Sequence, residues 1–172
     1  MKLLFIPILT VLFNFAQANN WPAQPTGNEP GSSVYSNELF HETLTVKGRT
    51  VDFFAPKNFQ TSGQKLTVVI YGHGQAVQLK SYQDTFEHLA KKGIAVVFPQ
   101  YDTGFFDQDW RRMAADFVDL TTETLKKYPN SFETSRVIFA GHSKGGYVAL
   151  VAAGIEPLGI PYTAYHFMAF CQ

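Results

Sequence analysis

Ser143 carries the clearest chemistry in this sequence, because Gly141 and Gly145 lie two positions before and two positions after it. A short apolar run, residues 136–140, precedes this G-x-S-x-G pattern, and a stretch rich in small residues follows it as far as Gly154. Glycines beside a serine on so sharp a strand-to-helix turn let the strand and the helix approach closely and leave the hydroxyl exposed. The pattern predicts a serine able to attack a carbonyl carbon. The alternative is a tight turn without chemistry.

Backbone N–H groups could stabilise the negative charge that such an attack creates. The first N–H groups of a helix have no helical acceptor, so the Lys144 N–H can face an oxyanion beside Ser143. The Lys144 side chain is expected to point away from this first turn, which makes it a poor base. A second source of N–H groups is the turn Gly72–Ala76 after the continuously apolar residues 66–71, which suit a strand buried on both faces.

The elements that must position these groups alternate along the chain. Alternating residues 39–46 and 50–55 predict a β-hairpin, and residues 94–98 predict another buried strand. Helical patterns cover residues 81–92, opened by a Ser81–Asp84 capping box, and residues 110–127. With a last strand at residues 162–170, the order βαβαβαβ predicts an α/β fold with a mostly parallel sheet and helices on both faces.

Two motifs resemble those of the α/β-hydrolases. GHSKGG, residues 141–146, resembles their nucleophile elbow, and TVVIYGHG, residues 67–74, resembles their oxyanion strand and loop. The resemblance implies Ser143 as the nucleophile, the backbone N–H of Gln75 (with Ala76 next) as the second oxyanion donor, and a loop-ordering role for His73. Secreted esterases and lipases, and chlorophyllase-like or polyester-hydrolase-like enzymes, are the most similar members.

Aromatic residues crowd the loop after the strand at residues 94–98. Tyr101, Phe105, Phe106 and Trp110 could form the wall of an apolar acyl or aryl pocket, or they could simply pack under the loop. Asp102 in the same loop is not assigned to catalysis. His142 is expected to pack beneath the turn, and no paired Cys or acid lies at metal-ligand spacing.

A serine nucleophile needs a base and an acid, which follow it in the resembled family in the order acid, then His. Only Glu156 and His166 follow Ser143 in that order. Glu156 falls about 15 to 20 Å away at the far end of the predicted helix, and His166 falls inside a predicted strand. The acid and histidine of a triad are therefore expected to be absent from this chain. We accordingly expect the C-terminal part of the fold to be missing and the chain itself to be inactive.

Composition and the N-terminus give the remaining expectations. Residues 1–18 have the layout of a cleavable signal peptide, with cleavage after Ala18, so export to the periplasm or the medium is expected, with no stable membrane insertion afterwards. Residues 19–36 read as an irregular leader, and residues 37–172 as a partial hydrolase domain. The lone Cys171 lacks a partner.

Fourteen basic residues balance fourteen acidic ones, which argues against nucleic acid and favours a neutral substrate. No cofactor is indicated, and the oligomeric state is left open. The function expected from motif and resemblance is a secreted serine hydrolase that cleaves a small-molecule or lipid carboxylic ester through an acyl-enzyme. A peptidase or thioesterase on the same fold, or a noncatalytic hydrolase-like binding protein, remains an alternative.

Overall fold

The computed structural model describes residues 25–27, 29, 31–104, 106–154 and 168–169, with only the backbone at positions 134, 168 and 169. The predicted signal peptide, residues 1–18, lies outside the described residues. So do Phe105, Glu156, His166 and Cys171. None of the helices in the described part is long and apolar enough to span a bilayer.

The first two strands form the predicted hairpin. β1 (Leu39–Val46) pairs antiparallel with β2 (Arg49–Pro56). Lys47 and Gly48 connect them with positive φ values of 49° and 76°. Such a turn matches the right-handed twist of the two strands.

The remaining strands form the parallel part of the sheet. They are β3 (Leu66–Gly72), β4 (Ile94–Pro99), β5 (Phe132–His142) and β6 (Met168–Ala169). The six strands of the described residues lie in the order β1-β2-β4-β3-β5-β6, with β2 antiparallel to β4. The pairs β4–β3, β3–β5 and β5–β6 are parallel. The carboxyl ends of the central strands therefore meet at one edge of the sheet, where ligands bind in α/β folds.

Within the part of the chain that the structure describes, three α-helices cover the two faces of the sheet. On one face α1 (Gln83–Lys91) buries Phe86 and Ala90 against Val96 and Phe98. On the other face, α2 (Trp110–Lys126) and α3 (Lys144–Gly154) pack over a second apolar cluster that includes Phe117, Val148 and Phe139. The predicted arrangement, with helices on both faces, is confirmed.

Two local predictions are wrong. Ser81 ends a short 3-10 turn (Leu79–Ser81), and α1 starts only at Gln83, with Tyr82 as its N-cap and no side-chain cap. The expected Ser81–Asp84 capping box therefore does not form. β5 begins at Phe132 instead of residue 136, because Phe132 pairs with Leu66 across an irregularity in the strand register. The polar residues 133–135 interrupt the apolar pattern, so the sequence did not indicate this longer strand.

The described part of the leader has no helix or strand but is attached to α1. The Lys92 ammonium donates to the Ser32 hydroxyl at 2.9 Å. The Tyr35 hydroxyl lies 3.2 Å from His88 Nδ1, and the Lys91 and Lys92 ammonium groups each lie 5.4 Å from the Tyr35 ring centre. This end of the leader packs at the C-terminus of α1.

Candidate active site

Ser143 forms the whole turn between β5 and α3, since β5 ends at His142 and α3 begins at Lys144. Its φ is +52°, in the left-handed region that residues with a side chain rarely adopt. The Ser143 carbonyl accepts a hydrogen bond from the Gly146 N–H at 3.0 Å, which ties the turn to the first turn of α3. The predicted sharp and strained turn is present, and backbone strain of this kind concentrates at functional sites.

Glycines let three backbones meet beneath this turn. A Cβ on Gly145 would lie 2.1 Å from the Gly72 carbonyl oxygen of β3, and a Cβ on Gly141 would lie 2.4 Å from the Gly145 carbonyl oxygen. Any side chain at these positions would push the start of α3 away from the ends of β3 and β5. The glycines of the motif therefore place the N-terminus of α3 directly over the sheet.

The loop after β3, residues 73–77, lies beside the turn. Its Val77 N–H donates to the Gly74 carbonyl at 3.2 Å, and Ala76 has a φ of +57°. Gln75 and Ala76 are exposed at the corner of this tight turn. The assignment of their N–H groups as oxyanion donors stays a prediction.

His142 joins this loop to the turn. Its Nδ1 lies 2.9 Å from the Tyr82 hydroxyl, which also accepts a hydrogen bond from the Gly74 N–H at 2.9 Å. A Cβ on Gly74 would lie 2.7 Å from the same His142 nitrogen. His142 is therefore held against the neighbouring loop, and its expected packing beneath the turn stays a prediction.

His73 is almost fully buried, with 3% of its surface exposed. Its Nδ1–H donates to the Gly74 carbonyl at 3.0 Å, and its ring stacks on Tyr101 with centres 4.3 Å apart. Its Nε2 has no hydrogen-bond partner among the described residues. Burial lowers the pKa of His73, so the ring is neutral at physiological pH.

The Lys144 side chain is buried and paired with an acid. It is 5% exposed and places Nζ 3.2 Å from Asp102 Oδ2. The Asp102 carbonyl in turn accepts a hydrogen bond from Arg49 Nη1 at 2.9 Å. Sequence reasoning missed this pair, although Asp102 follows β4 and Lys144 begins α3, two places that the sheet brings to the same edge.

The three described residues of the predicted aromatic wall lie in different surroundings. Tyr101 is fully buried, donates its hydroxyl to the His73 carbonyl, and packs edge-on against Phe117 at 5.6 Å. It belongs to the core and is not a pocket wall, which corrects the prediction. Phe106 is 85% exposed, while Trp110 is half-buried with its ring edge-on to Tyr147 at 4.8 Å.

A cavity of about 470 Å³ lies beside the loop after β3. Val77 and Leu79 give it an apolar side, and Gln100 and Asp102 give it a polar side. Within the described residues, its lining includes none of the predicted aromatic residues. The cavity fits a group with both apolar and hydrogen-bonding parts.

The base that would activate Ser143 is not seen in the described part of the chain. There, no histidine or carboxylate is hydrogen-bonded to the Ser143 hydroxyl, and both Glu156 and His166 fall outside it. Across the same residues, no group of three or more His, Cys, Asp or Glu side chains could hold a metal ion.

The sheet order, the helices on both faces and the serine turn after β5 define an α/β-hydrolase fold. A family model described as Chlorophyllase matches residues 38–169. This match covers well over half of the sequence, and the chain therefore belongs to the chlorophyllase family.

Solved structures of the esterase Est22 are also similar to this chain. A mutant of Est22 matches at 20% identity with a TM-score of 0.50, and Est22 with p-nitrophenol matches at 22% identity with a TM-score of 0.48. Each match covers 67% of this chain and 37% of the other, so this chain spans little more than a third of their length. At such identities the likeness to the Est22 mutant shows the fold alone. No curated protein matches the chain.

Proposed function

We propose that this chain belongs to a secreted serine hydrolase that cleaves carboxylic esters, with Ser143 as the nucleophile. The observation that carries the proposal is the left-handed conformation of Ser143, with φ of +52°, at the junction of β5 and α3. Membership of the chlorophyllase family and the resemblance to esterases support the ester class. The signal-like residues 1–18 support secretion.

The proposed reaction has two halves. The Ser143 hydroxyl loses its proton to a general base and attacks the ester carbonyl carbon, and the Lys144 and Gln75 N–H groups hold the oxyanion that forms. The intermediate collapses to an acyl-enzyme as the C–O bond to the alcohol breaks and the alcohol oxygen takes a proton. Water then attacks the acyl-enzyme, releases the carboxylic acid and restores the serine.

The surroundings of Ser143 suit a neutral ester. Among the described residues, Lys144 is the one buried cation beside Ser143. Its ammonium is paired with the Asp102 carboxylate at 3.2 Å. The cavity beside the loop after β3, whose lining includes Asp102, has both apolar and hydrogen-bonding walls, and the whole chain has no net charge. The substrate we propose is therefore an uncharged small-molecule or lipid ester.

The proposal is tested by replacing Ser143 with Ala in the complete parent protein, called the full-length protein below, and measuring hydrolysis of neutral p-nitrophenyl esters. We expect turnover to fall by at least about a thousandfold, because the acyl-enzyme cannot form. Ser81→Ala, on an exposed turn, is the matched control and should keep wild-type activity. Turnover by Ser143→Ala at the wild-type rate would refute the nucleophile. A parallel panel of thioesters and peptides tests the choice of acyl group.

A further inference from the structure

A single hydroxyl contacts both segments from which the proposed oxyanion donors come. The Tyr82 oxygen accepts the Gly74 N–H at 2.9 Å and lies 2.9 Å from His142 Nδ1. Gly74 directly precedes Gln75, and His142 lies two residues before Lys144. A tyrosine hydroxyl has one proton and two lone pairs, so it can make both hydrogen bonds at once.

The Tyr82 side chain is itself held from several sides. Tyr82 is the N-cap of α1 and is 9% exposed. Its ring packs against Tyr71, Phe86 and Phe98, with ring centres 5.1, 5.8 and 5.6 Å away. This packing fixes the hydroxyl relative to β3, β4 and α1. The loop and the turn are therefore positioned by one anchored atom.

We propose that Tyr82 is a positioning residue that sets the separation of the Gln75 and Lys144 N–H groups. This inference rests on the function proposed above. Tyr82 does not contact the reacting atoms; it acts through Gly74 and His142. An oxyanion hole depends on donors fixed about 3 Å from the charge that forms in the transition state, so a displaced donor slows the chemical step.

The first test compares two Tyr→Phe variants of the full-length protein. Tyr82→Phe deletes only the bridging hydroxyl. Tyr71→Phe is the control, because its ring packs against Tyr82 but its own hydroxyl has no hydrogen bond among the described residues. We expect Tyr82→Phe to lower kcat by about tenfold or more with KM within about twofold, since the oxyanion exists only in the transition state and the intermediates. Tyr71→Phe should change neither.

The assays are run well below the melting temperatures of both variants, so that a loss of folded protein cannot imitate a slower chemical step. A wild-type kcat in Tyr82→Phe would overturn the inference. An equal fall in Tyr71→Phe would also overturn it, because the effect would then come from packing of the rings and not from the hydroxyl.

Amide hydrogen exchange tests the same bridge without any turnover. In Tyr82→Phe we expect faster exchange in both residues 72–77 and residues 141–147, while Tyr71→Phe keeps the wild-type pattern. Unchanged exchange in either segment would overturn the inference whether or not the protein hydrolyses esters. If the wild-type protein turns over no ester, the proposed function fails, and the exchange result still decides whether the hydroxyl holds the two segments.

Discussion

Burial decides the protonation of His73. Its Nδ1–H is donated to the Gly74 carbonyl, and its Nε2 carries no proton and has no partner among the described residues. Burial is the main cause of its lowered pKa, and the Lys144 charge lowers the pKa further, although the Gly74 hydrogen bond and the Asp102 charge oppose the shift. A neutral, stacked ring fits the expected role of His73 in ordering the loop.

His73 should make folding sensitive to acid. The unfolded chain takes up a proton at this residue near pH 6.5, whereas the folded protein does so only at lower pH. The contribution of neutral His73 to the free energy of unfolding is therefore complete above about pH 6.5. It is lost as the pH falls toward the folded-state pKa of His73. Between pH 7 and 5, the free energy of unfolding should fall faster in wild type than in His73→Phe, by up to about 1.4 kcal/mol per pH unit. Urea titrations measure both slopes, and equal slopes would refute this prediction.

The Asp102–Lys144 pair should contribute to stability through the cost of an unpaired charge. In Asp102→Asn the Lys144 ammonium, in a side chain that is 5% exposed, loses its counter-charge. We expect the free energy of unfolding to fall by about 3 kcal/mol. This value is toward the low end for breaking a buried ion pair, because the Asp102 side chain is 17% exposed. The double variant Asp102→Leu/Lys144→Met, which removes both charges, should lose much less. Urea titrations measure both losses.

The matched control for this pair is Asp119→Asn. Its partner Lys47 is 55% exposed and Asp119 is 47% exposed, so the change should cost less than about 1 kcal/mol. If Asp102→Asn lowered the free energy of unfolding as little as this control does, the prediction that the buried Lys144 ammonium needs its counter-charge would be contradicted.

At the scale of elements, β3, β5 and α3 meet through backbone atoms. The close contacts of Gly72, Gly141 and Gly145 leave no room for a methyl group. The glycine spacing of the G-x-S-x-G pattern thus has a structural reason that is separate from the reaction. Gly141 and Gly145 serve both the close packing of α3 on the sheet and the exposure of the serine hydroxyl.

Gly145→Ala should therefore be strongly destabilising. Its Cβ would lie 2.1 Å from a β3 carbonyl oxygen, which cannot move without shifting the strand. We expect a loss of about 3 kcal/mol or more in the free energy of unfolding. Gly154→Ala, at the other end of α3, meets no described atom within 4 Å and should be neutral or slightly stabilising. Thermal melts compare the two variants, and similar melting temperatures would show that α3 can move away freely.

The sequence predicts elements well where one local pattern dominates. The continuous apolar runs correctly indicated β3 and β4, and helical periodicity indicated a helix over residues 110–127, where the structure has α2 (Trp110–Lys126). The boundaries failed where pairing or packing decides them. The start of β5 depends on Leu66 opposite Phe132, and the start of α1 depends on Tyr82 packing into the aromatic cluster.

For the whole molecule, the serine turn was predictable because its glycine spacing and its flanking strand and helix are local features. The contacts around it were not. Tyr101 joins the core, and Lys144 reaches Asp102, only because the sheet order places the ends of β3, β4 and β5 together. A single sequence carries the residue types of such contacts but not their distances.

The central claim is that Ser143 is an activated nucleophile. The most direct measurement is to treat the full-length protein with a fluorophosphonate and to locate the adduct by peptide mass spectrometry. We predict one stoichiometric adduct on Ser143, abolished by prior heat denaturation, because only the folded turn would present the hydroxyl to the proposed general base and N–H donors. Folded protein that remains unlabelled at Ser143, or that is labelled equally after denaturation, would contradict the claim.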